Sequence, residues 1–217
     1  MLPNLLRSRP SKPPHPDFSD LLSIERRLYA RGLQRIAGTD EAGRGCLAGP
    51  VFAGAVILPV DCRISGVNDS KLLSPAQREA LFGIICAEAL AWAVASVDAP
   101  EIDRINIHRA SLKAMALAVE ALVHRPDYLL IDGKFTLKEE YFFVPQEAVV
   151  DGDALSQSVA AASILAKVSR DRWISEEGKK YPDFNFAKHK GYATADHRRE
   201  IREFGLTPLH RRSFRCL

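Results

Sequence analysis

The chain has 217 residues, of which 47% are hydrophobic and 26% charged, with a formal net charge of +3. That make-up suits one globular domain, long enough to bury a core without disulfide or metal staples. It excludes a bilayer-spanning helix, because the longest apolar run, Val51 to Leu58, falls far short of the roughly 20 residues required. The cysteines Cys46, Cys62, Cys86 and Cys216 show neither C-x-x-C spacing nor a histidine at ligand distance. A zinc site or disulfide framework is therefore not expected, and free thiols in a reducing cytoplasm are.

Residues 1–18 carry Pro3, Pro10, Pro13, Pro14 and Pro16 and read as a disordered arm, with residues 19–217 as the folded domain. The pattern predicts a helix over Asp20–Ala30, a strand over Arg35–Thr39 leading into Asp40 and Glu41, and an apolar strand over Val51–Leu58. Ser74-Pro75-Ala76-Gln77 is a helix start with a capping box and proline at the first helical position, and that helix should run to Ala89. A third strand is expected over Ala91–Val97 and an amphipathic helix over Asn106–Val123. Strands Tyr128–Ile131 and Glu147–Val150 then deliver Asp132 and Asp153. A long alanine-rich helix, Ser156–Glu177, and a last one, Ala195–Phe204, complete the chain. Strands first, then helices alternating with strands, indicate an α/β layer fold with a mixed sheet.

Asp40, Glu41, Asp132 and Asp153 all stand at strand ends, where sites form in open α/β sheets. Taken singly, such acids also serve as turn formers or solvated charges. Brought together they would repel unless a cation sat among them, and oxygen donors suit magnesium or manganese. Two such ions about 4 Å apart form the usual device for phosphodiester hydrolysis. Gly43-Arg44-Gly45 offers unobstructed backbone N–H groups and a forked phosphate donor, or else a tight turn between strands. Asn68, Ser70 and Lys71 are candidate phosphate contacts, as are Ser163 and Lys167, one helical turn apart. Asp171, deep in a helix and flanked by arginines, reads as a structural ion-pairing residue. Basic residues crowd the stretch from Lys179 to Arg215, which suits either a polyanion or a solvated helix face.

The ordered motifs DEAGRGCLAGP (Asp40–Pro50), NDSKLLSP (Asn68–Pro75), IDGK (Ile131–Lys134), AAASILAKVSRDR (Ala160–Arg172), HKGYAT (His189–Thr194) and HRRSF (His210–Phe214) together resemble bacterial ribonuclease HII from about Gln34 to Phe214. The resemblance implies a ribonuclease H-like fold with a C-terminal helical substrate-binding segment. It also implies an endonuclease that cuts the RNA strand of RNA–DNA hybrids and a lone ribonucleotide in duplex DNA, with Mn2+ or Mg2+, leaving 3′-hydroxyl and 5′-phosphate ends. The family's four acids fall on Asp40, Glu41, Asp132 and Asp153, its Gly-Arg-Gly on residues 43–45, and its sugar-reading tyrosine on Tyr192, which by itself is also an ordinary half-buried aromatic. Two positions depart from the pattern: Asp151 stands where lysine is usual, adding negative charge beside the acids, and Lys134 where asparagine is common. The expected partners are RNA–DNA hybrid and ribonucleotide-containing duplex DNA, with no membrane, no obligate protein partner and a monomeric state. The alternatives are a catalytically impaired hybrid-binding module or another two-metal nuclease of the same fold. Ribonuclease HIII, with a sizeable domain ahead of its core, fits less well because the acidic pair already stands at residue 40.

Overall fold

A computed structural model describes residues 21–67, 70, 72–137 and 144–216. The expected arm at residues 1–18 lies outside them. Five strands form one sheet: β1 (Ile36–Ala42), β2 (Val51–Ile57), β3 (Ala91–Val97), β4 (Tyr128–Asp132) and β5 (Gln146–Val149). Their spatial order is β3-β2-β1-β4-β5, with β1 to β3 an antiparallel meander and β4 and β5 added parallel to β1. The sheet is mixed, as expected.

Side chains alternate between the faces of a strand, and each face has its own cover. Val51, Ala53, Ala55 and Ile57 of β2 and Leu129 and Ile131 of β4 pack against helix α4 (Ile107–Glu120). The opposite face receives helix α5 (Gln157–Glu177) and helix α2 (Pro75–Glu88), with Val56, Ile85, Ala161, Ile164 and Leu165 between them. Helix α5 lies very close to the sheet because glycines meet it. A Cβ on Gly38 would fall 2.2 Å from the Ser158 carbonyl carbon.

The start of α5 is buried and polar. Ser156 caps it by accepting from the Val159 N–H. Glu25 of helix α1 (Ser23–Tyr29) takes hydrogen bonds from the Ser156 and Ser158 hydroxyls and from the Ser158 N–H, all at one carboxylate oxygen. A negative charge there complements the helix N-terminus. The sequence predicts a helix over Asp20–Ala30 but gives no sign of this role for Glu25.

The predicted capping box of α2 forms, with Ser74 and Gln77 bonded reciprocally. Three expectations need correction. The first strand continues through the acids to Ala42 rather than stopping at Thr39. A separate helix, α3 (Ala99–Ile105), precedes α4. Asn106 divides the two with φ of 68° and caps α4 by accepting from the Arg109 N–H. Asp153 does not end a strand, since β5 stops at Val149 and Asp153 lies in a 3-10 turn, Gly152–Ala154. Helices α6 (Phe186–His189) and α7 (Ala195–Phe204) form the C-terminal helical part.

Candidate active site

Register brings the first two acids together. Ile36 pairs with Tyr128 and Thr39 with Ile131, so the same offset sets Asp40 level with Asp132 on adjacent parallel strands. Both point to the α5 face by alternation. Glu41 follows directly. Carboxylate oxygens of Asp40, Glu41 and Asp132 all lie within 4.8 Å of one another.

Each acid is held. Asp40 is buried and accepts from the Glu41 N–H at 2.6 Å, and the Ser163 hydroxyl on α5 favours its ionised form. Asp132 accepts from the Gly152 N–H at 2.8 Å, which ties β4 to the turn bearing Asp153. Arg44 reaches back to Glu41 at 3.0 Å. Burial first, then the charges of Glu41 and Asp132, push the Asp40 carboxyl well above its ordinary range, with Asp153 adding a smaller push. Asp153 is buried but stands outside the tight group of three. Converging, mutually repelling oxygen donors fit a hard divalent cation, which would relieve the strain.

Asp40, Glu41 and Asp132, though not Asp153, floor a cleft of about 250 Å³. Gly43, Arg44, Ser70, Ser163, Lys167 and Tyr192 line it too, so most of the predicted site residues meet there. Gly45 is exposed and not among the lining residues. Asn68 and Lys71 lie outside the described residues. Ser70 and Ser163 share a hydrogen bond at 2.9 Å. Lys167 pairs with Asp171 at 2.9 Å and comes within 3.4 Å of the Tyr192 hydroxyl. Asp171 is thus ion-paired as expected, chiefly to Lys167 rather than to its neighbouring arginines.

A second chamber adjoins, bordered by Glu41, Asp132, Lys134 and Asp151. Asp151 adopts φ of 56° and is exposed there, beside two of the acids.

Two buried arginines build the rim. Arg170 donates to the carbonyls of Ala48, Pro50 and Lys190, and Arg211 to those of Arg44 and Gly49. They staple the Gly-Arg-Gly segment to the segment carrying Tyr192. Gly43, at φ of 98°, leaves room for the Arg170 guanidinium, whose Nε would lie 2.1 Å from a Cβ at that position. In the sequence Arg211 reads only as part of the basic stretch and Arg170 only as a neighbour of Asp171. Arg170 was signalled by spacing, since Ala162, Ala166 and Arg170 recur every four residues along the buried face of α5.

The basic stretch near the C-terminus is less of a free cationic surface than it looked. Arg211 is fully buried. Lys179, Lys180 and Lys188 pair with Glu176, Glu177 and Asp196.

Residues 37–217 match the family model described as Ribonuclease HII. The chain belongs to the ribonuclease HII family. It is 51% identical over 197 residues to ribonuclease HII of Geobacillus kaustophilus, covering 91% of this chain and 74% of that protein. It is 51% identical over 192 residues to that of Solibacter usitatus, covering 88% and 82%. Among solved structures, ribonuclease H2 of Pyrococcus horikoshii superposes with a TM-score of 0.69 at 28% identity, over 84% of this chain and 94% of that one. The ribonuclease HII of Archaeoglobus fulgidus, solved in complex with PCNA, gives 0.69 at 27%, over 83% and 95%. Ribonuclease HII membership makes this chain a metal-dependent endoribonuclease of the ribonuclease H type 2 class. Among the described residues no helix is long and apolar enough to cross a membrane.

Proposed function

We propose that this chain hydrolyses the RNA strand of RNA–DNA hybrids and cuts on the 5′ side of a single ribonucleotide in duplex DNA, with two Mg2+ or Mn2+ ions, leaving 3′-hydroxyl and 5′-phosphate ends. The observation that carries this is the level placement of Asp40 and Asp132 with Glu41, all within 4.8 Å, beside a glycine-flanked arginine and an exposed-edged tyrosine.

Asp40 and Asp132 would be the main ligands in this reading. Glu41 and Asp153 complete the set and orient water. When bound, divalent cations supply a water made nucleophilic near neutral pH and charge stabilisation at the leaving oxygen. The chain's own groups do the rest. Ser163 and Lys167 present a hydroxyl and an ammonium on one face of α5 toward the backbone of the cut strand. Asn68, Ser70 and Lys71 serve the flanking phosphates.

A single ribonucleotide differs from its neighbours only by a 2′-hydroxyl. Backbone groups of residues 43–45 approach it without side-chain obstruction, and the Tyr192 hydroxyl meets the same sugar while its ring packs on the next. The enzyme acts in the cytoplasm as a monomer with no obligate protein partner.

The test is cleavage of a duplex carrying one ribonucleotide, with Mn2+, with Mg2+ and with chelator, beside an all-DNA control. A metal-dependent cut 5′ of the ribonucleotide, absent from the control, is expected. A cut in the control overturns the sugar-reading roles. Binding without a cut overturns the catalytic assignment of the acids.

A further inference from the structure

Tyr192 sits at the end of a turn that side chains from two helices hold. Lys190 and Gly191 both have positive φ, 52° and 80°, and a Cβ on Gly191 would fall 2.6 Å from the Ala48 carbonyl oxygen. Such a turn keeps its shape only if its peptide groups are pinned. Two buried imidazoles do this. His189 and His197 stack with ring centroids 4.1 Å apart. The Gly191 N–H donates to His189 Nδ1 at 3.1 Å, and His197 Nδ1 lies 2.9 Å from the Tyr192 carbonyl oxygen. The same carbonyl also accepts from the Thr194 N–H, and the Tyr192 N–H donates to the His189 carbonyl.

Backbone donors outside the pair fix the tautomers, because an N–H can only donate. His189 Nδ1 accepts, so its proton is on Nε2, which donates to Glu200 at 2.9 Å. His210 Nδ1 accepts from the Thr207 N–H at 2.9 Å, so His210 also carries its proton on Nε2. That proton faces His197 Nε2 at 3.0 Å. His197 must therefore accept at Nε2 and carry its proton on Nδ1, aimed at the Tyr192 carbonyl. The chain of donors runs one way, from Thr207 through His210 and His197 to Tyr192.

We infer that His189 and His197, stacked in opposite tautomers set by the Gly191 N–H and by His210, are positioning residues that clamp the Gly191 N–H and the Tyr192 carbonyl and so aim the Tyr192 ring into the cleft. The functional half of this rests on the proposed sugar-reading role of Tyr192. The tautomer half does not.

The first experiment is a long-range proton–nitrogen correlation spectrum of the unsubstituted, 15N-histidine-labelled protein at neutral pH. It should show the Nδ1–H form at His197 and the Nε2–H form at His189 and His210. An Nε2–H or doubly protonated His197 overturns the clamp. The second compares His197→Asn, whose amide N–H replaces the donor at Nδ1, with His197→Leu on a duplex containing one ribonucleotide. Leucine should lower kcat about tenfold with KM within about twofold, because the ring is displaced rather than removed. Asparagine should restore kcat to within about threefold. Equal rates for leucine and the unsubstituted protein, or no rescue by asparagine, overturn it. If leucine prevents folding, the spectrum decides alone. Undiminished cleavage by Tyr192→Ala sinks the sugar-reading role and again leaves the clamp to the spectrum.

Discussion

Gly54 of β2 stands opposite Asp40 of β1, and the space left by its missing side chain is taken by the carbonyl of Ala162 in α5. A Cβ at Gly54 would meet that oxygen at 2.4 Å. Ser163, the next residue of α5, lines the same cleft as Asp40. Gly54→Ala therefore has to push the helix off the sheet where the acids are held. It should cost about 3 kcal/mol of stability, as overpacked cores do, and lower cleavage at temperatures where the variant is still folded. Unchanged urea unfolding would show that α5 is not seated as described.

Asp40→Asn removes the carboxylate that burial and its neighbours most disfavour. Cleavage should be abolished, while duplex binding in chelator changes only a few-fold. The variant should also be more stable than the unsubstituted protein in chelator at pH 8. The sign follows from linkage, because a folded-state pKa raised above the unfolded value means that ionisation opposes folding as pH rises. Thermal unfolding in chelator reads this directly, and a lower Tm for the variant contradicts it.

Arg170→Met would leave three buried carbonyls without their donor. A loss of about 4 kcal/mol is expected for breaking a buried charged network, or roughly 10 °C in Tm for a domain of this size. Arg170→Lys should not rescue it, since an ammonium cannot span three carbonyls as the planar guanidinium does. Full stability in the lysine variant would argue against the staple.

Acid should weaken the C-terminal part before it touches the surface ion pairs. Burial pushes His197 and His210 down to about 4, helped by His189 at the first and His197 at the second. The unfolded chain takes up these protons near pH 6.5. Stability is thus fully present above about 6.5 and falls as pH drops toward 4, by roughly 3 kcal/mol between pH 7 and 5. Lowered carboxylates such as Glu101, at about 2, lose their contribution only below their unfolded value near 4.5. Urea midpoints at pH 7 and 5 in the Asp40→Asn variant, which lacks the opposing titration of Asp40, check this, and equal midpoints refute it.

Asp151 faces the chamber shared with Glu41 and Asp132. Asp151→Asn should weaken divalent-cation binding about threefold at low ionic strength and less at high salt, since the group is exposed and screened. Titration calorimetry with Mn2+ at two salt concentrations reads both. No change at low salt removes Asp151 from the site's electrostatics.

Local signals carried much of this into the sequence. Strand ends located Asp40, Glu41 and Asp132. The helical repeat placed Ser163 and Lys167 on one face of α5, and Ser74 with Gln77 announced the start of α2. What stayed hidden depends on partners distant in the chain. Nothing local to Arg211 tells that its guanidinium is buried under Gly49. Nothing in HKGYAT reveals that His189 stacks on His197. The sequence puts Asp153 at the end of a strand over Glu147–Val150, whereas β5 stops at Val149 and the left-handed backbone of Asp151 turns the chain into a 3-10 turn.

The parallel pairing of β1 with β4 also sets when activity can arise. Strands β1 to β3 are joined as a meander and can pair locally as soon as they are made. Asp132 reaches Asp40 only after the crossover through α4 has formed, and contacts of such long range close slowly. Tyr192 and the Arg211 that braces Arg44 are synthesised later still. The floor of the cleft is therefore encoded well before its rim, and the cleft is whole only once synthesis has passed Arg211.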